Sequence, residues 1–285
     1  MCISVRQELT KRRAWLNDKG DAEARAEAQL REVSARPAGD DTAHALSGIA
    51  ASLASFLGVR GELAVLDSRD SGWRDVQRSL LCWRLRIAVE RALYARGALS
   101  QRSLGLEHTA RVVALSACIA VVLRRVDDEA WLVRQLSAMQ TDSRMVRPRW
   151  WTNHSVPSFV ARLFDLGVID NVKPPYRAIL EHGNDERQLV RALGAACDYH
   201  VAHMAIGHPS HEFADGPFGL IPFEILAILA LRQRVGRPSV PVSHQLLGAR
   251  LTSTLAYATP TAVDDPLLAA LTAEANRSVD LARDA

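Results

Sequence analysis

The apolar residues of this chain recur at helical spacing, and that periodicity constrains the fold more than any other feature. Val76, Leu80, Trp83 and Ile87 stand four, three and four residues apart, the mark of a single buried helix face. Val112, Ser116, Ile119 and Leu123 repeat the pattern, as do Leu132, Leu136 and Met139. A fourth set, Val190, Leu193, Cys197, Val201 and Met204, follows the helix-start signal Asn184-Asp185-Glu186. No stretch alternates apolar and polar residues long enough to define a sheet. Helices with one apolar stripe must bury it against other helices. The expected fold class is therefore all-α, a single compact bundle of roughly ten helices with no substantial β-sheet. At 285 residues the chain can bury a large core. The sequence reads as one helical domain over 1–285, with a helical core at 41–285 and a peripheral N-terminal helix within 1–40.

The segments between these helices are less regular. Residues 4–35 read as one charged helix with sparse apolar positions, Val5, Leu9, Trp15, Leu30 and Val33. Residues 44–57 are small and suit close helix packing, whereas 61–66 are ambiguous between strand and helix. Arg124 and Arg125 close one helix and Asp127, Asp128 and Glu129 open the next, each sign matching the helix dipole. Residues 144–155 read as a basic, aromatic loop, followed by a helix over 157–166 stopped at Gly167. Lys173-Pro174-Pro175 is a break, and 207–219 is a polar loop. Pro222 falls in the first turn of a helix that is apolar nearly all round over 223–231. Ser243 caps an expected helix carrying Leu247, Leu251, Thr254 and Ala258, and a weaker terminal helix runs from Asp264 to Ser278.

Charge and cysteine usage narrow the function. The chain has 35 basic and 32 acidic residues and a net charge of +3. That near-balance lacks the clustered basic excess of a phosphate-backbone binder, so no nucleic-acid partner is expected. Lysine occurs only at Lys11, Lys19 and Lys173, the other basic residues being arginine, a bias that GC-rich coding explains. Cys2, Cys82, Cys118 and Cys197 form no CxxC pair and fit reduced, buried thiols in a cytoplasmic protein. The first residues lack a signal-peptide pattern and the apolar run at 225–231 is far too short to span a bilayer. A cytoplasmic protein without membrane contact is expected. P-loop, GxGxxG and GxSxG motifs are absent, as are paired carboxylates of the ferritin type. No catalytic residue and no cofactor is assigned, and a binding role is expected ahead of an enzymatic one.

Two clusters remain that could carry chemistry. His200 and His203 share a helix face, with His208 and His211 in the loop beyond and Glu224 in the first turn of the next helix. Two helical histidines plus a loop ligand could hold zinc, giving a metal-binding protein or metal-dependent enzyme as the alternative function. The spacing lacks the glutamate of HExxH, and such residues more often hydrogen-bond within a polar layer, so no metal is expected. The second cluster is Arg147, Arg149, Trp150, Trp151 and His154, whose composition is that of an interface hot spot. With Glu212 and Phe213 in the 207–219 loop, these are the candidate partner-binding residues. The competing reading is that the tryptophans plug a groove between helices.

The segment 197–247 also resembles a known family. Asp198-Tyr199-His200, the helix start Pro222-Phe223-Glu224-Ile225-Leu226-Ala227, the helix end from Leu231-Arg232 to Gly236, and His244 with Leu246-Leu247 resemble the C-terminal half of immunity protein family forty-nine, from bacterial polymorphic-toxin systems. Gln245 stands where the pattern has a proline, which puts the local turn in doubt. The resemblance implies a non-enzymatic protein that binds a cognate toxin C-terminal domain and blocks its active site. It carries over no catalytic residue.

Overall fold

The computed structural model describes residues 4–99, 105–167, 172–207, 211–238, 240–248, 251 and 263–281. Among them twelve helices occur and no strand, so the chain is all-α. They are α1 Val5–Lys19, α2 Ala22–Ser34, α3 Asp40–Leu66, α4 Ser71–Ala95, α5 Gly105–Val122, α6 Val126–Thr141, α7 Pro148–Asn153, α8 Ser155–Leu163, α9 Tyr176–Glu181, α10 Glu186–Ala202, α11 Phe223–Arg234 and α12 Pro266–Ser278. Chain contacts divide into two units, one of residues 1–11 and 107–260, the other of 12–106 and 261–285.

Several boundaries differ from the sequence reading. The charged segment 4–35 is two helices, because Gly20 adopts φ +53° and Asp21 accepts from the Ala24 N–H to start α2 afresh. The ambiguous 61–66 stretch is the last part of the 27-residue α3. α3 is long and apolar enough by composition to cross a membrane, yet 72% of its most apolar window is buried inside the protein. Residues 148–153, read as loop, form the short helix α7, which Pro148 opens. α9, after Pro175, gave no periodic signal. Residues 243–248 are coil and turn rather than the start of a helix; Leu251 is helical and buried, and 249, 250 and 252–262, with the expected 254 and 258, lie outside the described residues.

In the unit of residues 12–106 and 261–285, α3 and α4 form the central pair. Val76, Leu80, Trp83 and Ile87 are each at most 1% exposed, as their spacing requires. The two backbones meet where Gly61 faces Gly72. A Cβ on Gly61 would lie 2.8 Å from the Val76 nitrogen, and one on Gly72 would lie 2.5 Å from the Val65 nitrogen. Glycine at both positions is what permits the crossing. The segment 1–40 is not peripheral, since Arg12 on α1 is fully buried and donates to Glu62 of α3 at 3.0 Å. A charge network binds α2, α3, α4 and the cap of α12. Glu23 accepts from Arg60 and Arg78, each at 2.6 Å. Arg60 grips Asp75 with two bonds, and Arg78 also donates to Asp265 at 2.7 Å. Asp265 in turn caps α12 through the Leu267 and Leu268 N–H groups.

In the unit of residues 1–11 and 107–260, α5 is buried on nearly every side from Val112 to Leu123. α9 packs against both α8 and α10, with Tyr176 stacked on Phe159 of α8 at 4.8 Å and edge-on to Tyr199 of α10 at 5.6 Å. Glu8 of α1 is buried and accepts from the Ile206 N–H at 2.8 Å. The buried face of α10 is Leu189, Leu193, Ala196, Cys197 and His200. It is turned from the expected face because burying His200 places Val190 and Val201 at its edge.

Two measurements test this description. Gly61→Ala and Gly72→Ala are each expected to destabilise the protein by roughly 1–3 kcal/mol through overpacking. Gly48→Ala, whose Cβ would meet nothing within 4 Å, should be neutral or stabilising by up to about 1 kcal/mol. Urea titration reads both; equal effects at Gly61 and Gly48 would remove the close crossing. For Glu23, burial by itself raises the carboxyl's pKa, but the bonds from Arg60 and Arg78 outweigh it and hold it below the usual 4.5. A depressed folded value means that Glu23 contributes stability above its unfolded pKa and loses it as pH falls through the folded value. Acidification below about pH 4.5 should therefore lower the urea midpoint, and Glu23→Gln should flatten that part of the acid limb.

Candidate functional site

The sequence-selected histidines lead to the interior of the unit that contains α8–α11. Four elements converge there. α10 supplies Tyr199, His200 and His203, the start of α11 supplies Glu224, α9 supplies Tyr176, and the segment 203–222 supplies His211, Glu212, Phe213 and Gly219. Asp185 starts α10 by accepting from the Gln188 N–H, which sets the register that turns His200 inward.

His200 and Glu224 are both wholly buried. His200 Nδ1 lies 2.8 Å from Glu224 Oε1, and Nε2 lies 2.8 Å from the Gly219 carbonyl. A carbonyl only accepts, so Nε2 carries a proton and donates. The Nδ1 to Oε1 contact then needs one further proton, carried by the ring as imidazolium against carboxylate, or by Glu224 as a neutral acid. Either way the pair is neutral overall and shares that proton. The Tyr176 hydroxyl donates to the same oxygen at 3.2 Å, while Oε2 has no hydrogen bond among the described residues. The His200 ring stacks on Phe213 at 3.8 Å. Burial pushes the Tyr176 phenol well above its ordinary pKa, and the Glu224 charge adds to it. Burial likewise raises the thiols of Cys118 and Cys197, with Glu224 the next cause.

A second carboxylate ties down the same segment. Glu212 Oε1 accepts from the Val156 N–H in the first turn of α8 at 3.2 Å, and Oε2 accepts from the Tyr199 hydroxyl at 2.6 Å. Burial, then Glu212, raises the Tyr199 phenol. The Tyr199 ring stacks on His203 at 4.0 Å. His203 Nδ1 donates to the Tyr199 carbonyl at 2.8 Å, and His211 Nδ1 accepts from the Ala205 N–H at 3.2 Å. Asp215 accepts from Arg111 at 2.6 Å and lies 3.0 Å from His108 Nε2, while Arg111 also donates to the His211 carbonyl at 2.9 Å. The sequence gave no notice of this last anchor, because its members lie about a hundred residues apart with no local pattern.

These contacts decide what the cluster can do chemically. Both nitrogens of His200 are committed to protein partners, and Glu224 is wholly buried. No group of three or more His, Cys, Asp or Glu side chains that could hold a metal occurs among the described residues. His208 lies outside them. The arrangement brings His200 and Glu224 together as a buried pair that fixes a segment, rather than as metal ligands with His203 and His211.

The aromatic patch is also placed differently from its expectation. Trp150 is 8% exposed and Trp151 4% exposed. They meet edge to face at 5.2 Å, and Trp150 stacks on the half-buried His154. Burial of both indoles is the groove-plugging arrangement. Glu212 and Phe213 are likewise interior, because Glu212 and Asp215 anchor their stretch of chain and Phe213 stacks on His200. Arg147 and Arg149 are exposed, Arg147 pairing with Glu107 at 2.8 Å.

Truncating Glu224 tests the pair. Glu224→Ala leaves His200 Nδ1 and the Tyr176 hydroxyl without a buried partner and should cost about 3–5 kcal/mol in urea titration. Glu224→Gln can donate its amide N–H to neutral His200 and should cost about half as much or less. Equal losses would show that the shared proton has no part in stability. Compared with known proteins, the chain matches no family model, no curated protein sequence and no solved structure.

Proposed function

We propose that this protein is a cytoplasmic immunity protein that binds the C-terminal domain of a cognate bacterial toxin and blocks its active site. The observation that carries the reading is the resemblance over 197–247, taken with how its residues are used. Tyr199, His200 and Glu224 are each engaged in internal hydrogen bonds. A protein held this way offers a preformed surface, and preformed surfaces bind tightly because little order is lost on association. With a net charge of +3, recognition by acidic mimicry of nucleic acid is unsuited to it, and shape with a few anchoring side chains is the expected mode.

Of the residues expected to meet a partner, Arg147 and Arg149 reach solvent and His154 does so partly. The test is co-expression with the toxin domain encoded beside the gene. Protection of cells, together with a stoichiometric complex of nanomolar or tighter affinity, is expected. Arg147→Glu with Arg149→Glu should weaken that complex by about tenfold or more while leaving the melting temperature unchanged. Cells that die equally with and without this protein would overturn the function, and an unaffected complex would move the interface elsewhere.

A further inference from the structure

A notch of about 350 Å³ opens between α1, α2 and α3, within the unit of residues 12–106 and 261–285. It exists because α2 presents Ala22 and Ala26 and α3 presents Ser52 and Ser55 where larger side chains would fill the groove. Leu53 and Phe56 form an apolar floor, both buried, and Trp15 forms one wall. Two cations stand at its mouth. The Lys19 ammonium lies over the Trp15 ring, 5.6 Å from its centroid. The Arg25 guanidinium donates to the Lys19 carbonyl and is thereby held at the corner. No aspartate or glutamate lines the notch. Glu23, on the same helix, is turned to Arg60 and Arg78 instead.

We propose that this notch is a binding site for a small organic anion, an aromatic or aliphatic body carrying a carboxylate or phosphate. The apolar body would lie on Leu53, Phe56 and the Trp15 ring, and the anionic end would meet Lys19 and Arg25. The volume is at the lower end of small-molecule pockets, which limits the ligand to a single ring or a short chain. Two cations, with no carboxylate among the lining residues, select a negative end over a neutral or positive one. Arginine suits an oxygen pair through its planar fork, while lysine acts as a point charge. The site is independent of the toxin-binding reading and involves none of its residues.

The test uses the whole chain and follows the Trp15 indole N–H by proton–nitrogen NMR, its signal assigned with Trp15→Phe. Benzoate and phenyl phosphate serve as anionic probes, benzamide as the neutral one and benzylamine as the cationic one. A saturable shift with benzoate or phenyl phosphate, absent with benzamide and benzylamine, is expected, and the stronger of the two identifies the preferred anion. Lys19→Gln and Arg25→Gln are surface changes whose folding is checked by melting temperature, and each should weaken binding about tenfold. No saturable shift, an equal response to benzamide, or unchanged affinity in both variants would overturn the proposal.

Discussion

An ionisable side chain withdrawn from water must bring its partner with it, and the interior of this protein is arranged around that requirement. His200 and Glu224 meet it by sharing a proton, with Gly219 and Tyr176 taking up further bonds. Arg12 and Glu62 meet it as a fully buried ion pair. Glu23 meets it less deeply, between two arginines that each hold another carboxylate. Apolar contact supplies most of the driving force for burial, but it is not directional. The polar pairs choose which helix face turns inward, as His200 does for α10.

The same requirement explains why residues 211–222 behave as part of the core although they form no helix or strand. A loop inside a protein would leave backbone and side-chain groups unsatisfied. Here Glu212 reaches α8 and Tyr199, Asp215 reaches His108 and Arg111, and the Gly219 carbonyl reaches His200. The segment is thus fixed from three sides, and Phe213 and Phe218 can be buried almost completely.

A consequence for function is that chemistry-bearing residue types are poor guides here when read singly. Histidine, glutamate, tyrosine and cysteine gather around Glu224, yet each is directed inward. The exposed arginines Arg147 and Arg149, and the cations bordering the notch at Trp15, face solvent.

Helical class was legible in the sequence because a period of 3.6 in apolar residues has no other stable use, as Val76 to Ile87 illustrate. Gly236, at positive φ, ends its helix as expected, and Asp185 and Asp265 act as caps. The sequence also brought His200 and Glu224 to notice, but only within a wider set with His203, His208 and His211 and without showing which of them meet. What it could not determine were relations with no local period. The pairing of Arg12 with Glu62 fifty residues away, the close approach of Gly61 and Gly72, and the burial of Trp150 and Trp151 all depend on tertiary packing. Local propensity sets where helices form, whereas tertiary packing decides which face is buried and which polar groups must find each other there.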